Sequence, residues 1–276
     1  MQITVFTVLM FCGVVVAGFF LWKLRTLRQR RLLQERGLRW LKLLRIILAN
    51  AQRHRGLTSA YAGGDRSVIE RVEHLHDTIE KNCNAIVSVG AWIEKNDRWQ
   101  GIVSHWRTLS QRYADYSLND TLNQHLWMIQ NILYLIEDMA DSHALAELQP
   151  RAPYPVGRVD FAWKDLLQAI EYIGQLRAVG SGVAAMGSCG SVERVRINYL
   201  IKKIDALSSR IFARLGGGHS ARTDLFALIS MVNQRILGAQ CTISAAQYFE
   251  EVTQVMEALY AEFDSIVESL DKSQSG

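Results

Sequence analysis

Residues 149–157 read Gln-Pro-Arg-Ala-Pro-Tyr-Pro-Val-Gly, and they hold all three prolines of a 276-residue chain. Proline lacks an N–H and clashes with the preceding helical turn, so none of the three fits a helix interior. Elsewhere beyond residue 23, apolar residues recur at helical spacing and no convincing two-residue alternation appears. The stretch therefore divides a helical protein into halves of similar length, 38–148 and 160–271. Residues 149–159 are expected to form an exposed connector and 272–276 a short tail.

Start and stop signals divide each half again. Ser67-x-x-Glu70 has capping-box spacing, and Asn96-Asp97 and Asn119-Asp120 each precede a periodic stretch. In the second half, Gly187-Ser188 and Gly216-Gly217-Gly218 read as turns, and Ser244-x-x-Gln247 caps the last helix. This predicts helices near 38–62, 67–94, 97–116 and 120–147, then 160–186, 191–214, 221–240 and 244–271. Long helices with short turns pack as up-down bundles. The expected fold is all-α: an N-terminal transmembrane helix followed by two packed four-helix bundles.

The membrane expectation rests on Ile3 to Trp22, twenty residues without a charge, the length that crosses a hydrocarbon core. A cleaved leader would begin with basic residues and end at a small-residue site, whereas here only Met1 and Gln2 precede the span and Lys23-Leu24-Arg25 follows it. The segment 1–22 is thus read as an anchor and 23–37 as a basic juxtamembrane helix. Residues 23–45 carry nine basic side chains against Glu35 alone, a charge of +8 in a chain of net +4. Positive residues favour the cytoplasmic side, which places the N-terminus outside a bacterial inner membrane and the helical halves in the cytoplasm. Lys23, Arg25, Arg28, Arg30 and Arg31 stand where they can meet anionic headgroups. Gly13-x-x-x-Ala17 has the small-residue spacing by which two spans pack into a homodimer, a short pattern that is common by chance.

With the juxtamembrane charge set aside, the remainder is −4, which argues against a nucleic-acid partner. Four cysteines, at 12, 83, 189 and 241, show no metal or redox spacing and read as buried free thiols. His74 and His76, near Glu70, Glu73 and Asp77, read as a solvated face rather than a metal site. Trp92, Trp99, Trp106 and Trp127 read as core or interface anchors. No nucleophile triad, phosphate loop or kinase motif occurs, so neither an enzyme nor a cofactor is expected.

The informative mismatch lies in three arginines. Leu41, Leu44, Leu48 and Ala51 make an apolar stripe whose next position is Arg55. Trp163, Leu166, Ile170 and Ile173 lead in the same way to Arg177, and Leu228 and Met231 lead to Arg235. Small residues follow each one: Gly56; Ala178 and Gly180; Gly238 and Ala239. A guanidinium at an apolar position must reach water, meet a carboxylate or bind an anion. Taken singly, snorkelling to water or an ion pair with an acid on a neighbouring helix is the simpler reading. Equivalent arginines in the two halves favour a shared anion site, and both arginines would then lack carboxylate partners.

Asn50-Ala-Gln-Arg-His-Arg-Gly-Leu-Thr-Ser59 resembles the first motif of the nitrate- and nitrite-sensing (NIT) domain family, a helix ending in Arg-Gly. Glu171-Tyr-Ile-Gly-Gln-Leu-Arg-Ala178 resembles its second. His54 stands where the family often has Glu or Arg, and Leu176 where Glu is common. The resemblance, spanning about residues 38–270, implies two four-helix bundles with arginines from both lining a nitrate or nitrite site. Arg55 and Arg177 match the motifs, and Arg235 is placed by approximate spacing. Family members usually carry an output module. None is recognisable here, so a signalling protein partner is expected. The alternative is a membrane-tethered helical scaffold that binds no ligand.

Overall fold

The computed structural model describes residues 2–274 apart from 152–153, 155–156, 216–219 and 239; the side chains of 2–15 and 274 also lie outside the description. Among the described residues the secondary structure is helical, without strands. Helix α1 runs unbroken over Gln2–Ala62. The first group is completed by α2 (Ile69–Ser88), the short α3 (Ala91–Glu94), α4 (Asp97–Arg112) and α5 (Leu118–Ser142). The second comprises α6 (Leu167–Met186), α7 (Ser191–Leu215), α8 (Ser220–Met231) and α9 (Ala245–Gln274). Wider π-helical turns precede α6 at Ala162–Leu166 and extend α8 over Val232–Ile236.

The helix contacts fall into two groups, α1–α5 and α6–α9. Helix α1 lies on α2 and α5, and α4 on α5; α6 lies on α7 and α9, and α8 on α9. The sets meet where α1 contacts α9 and α6. Helix α9 runs antiparallel to α1: Lys42 pairs with Asp271, Arg45 with Asp264, and Gln52 with Tyr260, so numbering falls along one as it rises along the other. A single apolar core runs through both sets. The stripes Leu41–Leu44–Leu48–Ala51 and Trp163–Leu166–Ile170–Ile173 are buried within it, as their spacing demands.

Several caps act as anticipated. The Asn96 side chain accepts from the Trp99 N–H, Ser244 from Gln247, and Gly187 ends α6 at φ +72°. Two caps are displaced. Asp65 rather than Ser67 accepts at the start of the turn before α2, and Ser117 rather than Asn119 caps α5, with Asp120 as its reciprocal partner. The Gly216–Gly218 turn lies outside the described residues.

The connector is irregular, but Pro150 is buried, which corrects the expectation of a wholly exposed segment; Pro153 and Pro155 lie outside the description. Trp99 and Trp106 are core residues, whereas Trp127 is 64% exposed and meets the His105 ring, 5.8 Å between centroids. Cys83, Cys189 and Cys241 are free and only partly buried, and Cys12 is not described.

Among the described residues no helix is long and apolar enough to cross a membrane. Residues 3–15 of the span expected at 3–22 fall where side chains are not described. Residues 16–33 are exposed throughout, and burial on α1 begins at Gln34. Arg30 pairs with Glu147, and Arg31 with Glu35 at 3.3 Å, so two of the five expected membrane-facing cations have carboxylate partners in the protein.

Candidate functional site

Where α1, α6 and α9 meet, two of the three expected arginines come together. Arg55 leaves α1 and is 2% exposed; Arg177 leaves α6 and is 7% exposed. Glycines make room for Arg55 and for the α9 rings beside Arg177. A Cβ on Gly174 would lie 2.7 Å from Arg55 Nη2, and one on Gly180 would collide with the Tyr248 ring of α9. Gly56 faces Phe249, the ring over which the Arg177 guanidinium sits at 4.5 Å. The small residues following each arginine thus allow α1, α6 and α9 to approach closely.

Arg55 has a carboxylate partner, contrary to expectation. It donates from Nη1 to Glu171 Oε1 at 2.6 Å and from Nη2 to Oε2 at 3.3 Å. Glu171 is wholly buried and also accepts from Gln52 Nε2 at 2.8 Å and Gln175 Nε2 at 3.0 Å. Gln52 in turn accepts from the Tyr260 hydroxyl at 2.8 Å. Burial, with the Glu171 charge nearby, pushes the Tyr260 phenol upward and keeps it a neutral donor. Glu171 opens the second motif, but local spacing assigns it no partner. It lies six residues before Arg177, on another face of α6, and its partner comes from a different helix.

Arg177 fits the expectation. Among the described residues it pairs with no carboxylate; Nη1 donates to the Thr253 hydroxyl at 2.9 Å and the plane stacks on Phe249. Burial and then the Arg55 charge pull its pKa down to about 10, against the partial support of Glu171. Exposed Arg53 adds to the same positive field.

Arg235 does not join them. It lies on the π-helical turns after α8, partly exposed, 3.7 Å from Glu251 and donating to the Thr242 carbonyl at 3.1 Å. Glu251 and Thr253 point to different faces of α9, so the approximate spacing that singled out Arg235 brought it to another surface.

Beside Arg55 a void of about 10 Å³ lies between the bundles, lined by Leu122 and Leu126 of α5, Gln175, Ala178 and Val179 of α6, and Arg196 of α7. That is room for about one water.

A second polar cluster escaped the sequence. His76 Nε2 lies 2.9 Å from His54 Nε2, and His54 Nδ1 lies 2.7 Å from His125 Nε2. His125 Nδ1 lies 2.6 Å from the Thr121 carbonyl. The carbonyl can only accept, so His125 donates from Nδ1 and accepts at Nε2. His54 must then donate from Nδ1 and accept at Nε2, where His76 donates. One neutral tautomer of each ring follows from the carbonyl at the end. Burial, then the neighbouring histidines, push His54 well below the usual histidine pKa; burial takes His125 to about 3. His54 spends both nitrogens on its neighbours, and among the described residues no group of His, Cys, Asp and Glu is arranged to hold a metal ion. The expected solvated face at His76 is corrected: it packs edge-on to Trp106.

No known family model matches the chain, and no curated protein or solved structure is significantly similar to it.

Proposed function

We propose that this chain is a membrane-anchored receptor for a small oxyanion, with nitrate and nitrite the first candidates, and that it signals through a protein partner. The observation that carries this reading is Arg177: a buried guanidinium with no carboxylate partner among the described residues, at the junction of two bundles and in the field of a second arginine. Isolated buried charge costs several kcal/mol, roughly, and persists where something is gained by it. Planar oxyanions match the guanidinium fork. The resemblance to the NIT family at Arg55 and Arg177 points to the same ligand class.

The anchor is supported by the apolar run 3–22 and by Phe19, Phe20, Leu21 and Trp22, which are exposed among the described residues. Exposed Val192, Val195 and Tyr199 line one face of α7 and offer a surface to a signalling partner. The void beside Arg55 is smaller than a four-atom anion. Binding next to Arg55 would therefore separate α5 from α6, a movement a partner can read.

A second reading is favoured by one observation. Arg55 and Glu171 already satisfy each other, as in a tethered scaffold whose site no longer takes a ligand. Calorimetry of the full chain in detergent micelles, titrated with nitrate, nitrite and chloride, separates the two. Saturable binding of nitrate or nitrite, with a raised melting temperature, supports the receptor. No heat and no thermal shift with any of the three transfers the chain to the scaffold.

A further inference from the structure

We propose that the outer face of α7 is a docking surface for an acidic amphipathic helix of a protein partner. The inference rests on the partner half of the reading above; whether an anion binds is decided separately, by the nitrate titration.

Helix α7 turns Ile197, Leu200, Ile204 and Leu207 into the core, which leaves its opposite side outward. On that side Val192 is 73% exposed and Val195 70%, more than any other large apolar residue described. Tyr199 follows at 54%. Their spacing is three and then four residues, the repeat by which one helix receives the apolar stripe of another. The next positions on the same repeat, Lys202, Ala206 and Ser209, are exposed as well, so the stripe is open along about five turns.

Charge identifies the occupant. Arg196 and Lys203, seven residues apart, edge the stripe on one side, and Lys202 stands toward the other; all three are exposed. Among the described residues none of the three forms an ion pair. Lys203 Nζ lies 5.5 Å from the centre of the Tyr199 ring, and Arg196 lines the cleft beside Arg55. Against these cations α7 exposes Asp205, with Glu193 partly covered. Arg210, further along, is already spent on Asp165 at 2.8 Å. An apolar stripe edged by unpaired cations fits a helix whose own stripe is edged by carboxylates, and repels one edged by lysines.

An anionic membrane is the other surface such a face could meet, and its place in the fold argues against the chain's own. The Tyr172 phenol, raised by burial, also feels Lys203 and Tyr199. Tyr172 follows Glu171, the partner of Arg55, which lies about 50 Å along α1 from Trp22. The exposed stripe is thus remote from the apolar run 3–22. It is close to the junction: a helix docked on Tyr199 reaches Arg196, which lines the cleft between α5 and α6.

The test uses the full chain in phosphatidylcholine nanodiscs and two fluorescent synthetic peptides, each roughly four heptads long. Both carry Leu at the stripe positions; one flanks them with Glu, the other with Lys. Empty nanodiscs give the background. The Glu peptide is expected to bind, more weakly as salt is raised, and the Lys peptide is not. Arg196→Glu/Lys203→Glu should weaken the Glu peptide by about tenfold or more and admit the Lys peptide. Val192→Ser/Val195→Ser leaves the charges in place and should weaken the Glu peptide by a similar factor. Circular dichroism checks folding, and if one variant does not fold the other decides. Equal binding of both peptides by wild type, binding of neither, or Glu-peptide binding that survives substitution overturns the proposal. A dimer in sedimentation that Val192→Ser/Val195→Ser dissolves assigns the face to a second copy. Binding to added phosphatidylglycerol vesicles that the same variant loses assigns it to lipid. Either result also overturns the proposal. Wild type that binds the Glu peptide but no anion keeps the docking face and loses the receptor; the converse keeps the receptor and loses the face.

Discussion

The Arg177 guanidinium lies 4.5 Å from the centre of the Phe249 ring and donates a hydrogen bond to Thr253 one turn further along α9. Ring and hydroxyl hold the charge in place without neutralising it. Its pKa is drawn down to about 10, so the folded state disfavours the charged form that is present at neutral pH. Arg177→Met keeps the aliphatic stem and removes the charge. Thermal denaturation is expected to show no loss of stability, and a gain of roughly 1–3 kcal/mol. Nitrate binding by the same variant should be lost. A stability loss of that size would mean that the charge is compensated in the folded protein.

Arg55 should behave in the opposite way. Removing it leaves Glu171 buried without its cation, so Arg55→Met should destabilise by about 3–5 kcal/mol. Pairing it with Glu171→Met removes both charges and should recover most of that loss, a coupling measurable by a double-mutant cycle in chemical denaturation. Additive single effects would contradict a buried ion pair.

The helix ends and stripes were readable because they depend on near neighbours. Asn96, Ser244 and Gly187 act within three residues of themselves, and the apolar stripes repeat every three or four. Ser117 displaced Asn119 because both are competent caps and register decided between them. What joins Arg55 to Glu171, or His54 to His76 and His125, spans 116, 22 and 71 residues. No local spacing encodes such pairings; they arise when α1 packs against three other helices. The apolar stripes place Arg55 and Arg177 at buried positions but carry no information about the carboxylate facing one of them.

Stability should fall in mild acid. His54 and His125 have folded pKa values below the unfolded value near 6.5, so their contribution is complete above that pH and is lost as pH falls beneath it. His76, His105 and His143 are shifted the same way by burial. Each buried neutral histidine contributes a slope of about 1.4 kcal/mol per pH unit below pH 6.5. Melting temperatures between pH 7.5 and pH 5 should therefore decline steeply. A His54→Gln/His125→Gln double variant, less stable at neutral pH, should decline less. Equal slopes would remove these two rings from the pH response.

Gly180 should not tolerate a side chain. A Cβ there meets the Tyr248 ring, whose hydroxyl donates to the Leu176 carbonyl at 2.9 Å. Gly180→Ala forces α6 and α9 apart and is expected to cost about 1–3 kcal/mol by overpacking. Tyr248→Phe in the Gly180→Ala background should restore little, because the ring as well as the hydroxyl fills the space.

Helix α1 carries the candidate site near one end and the exposed aromatic cluster Phe19–Trp22 toward the other, with no break between. From Trp22 to Arg55 is about 50 Å of continuous helix. Such a rod is a lever with its fulcrum in the first bundle. A tilt of about 5° across that length moves the far end by about 4 Å, close to the rise of three residues. On the receptor reading, a small rearrangement among Arg55, Glu171 and α9 would be converted, without any hinge, into a displacement of that size at Trp22.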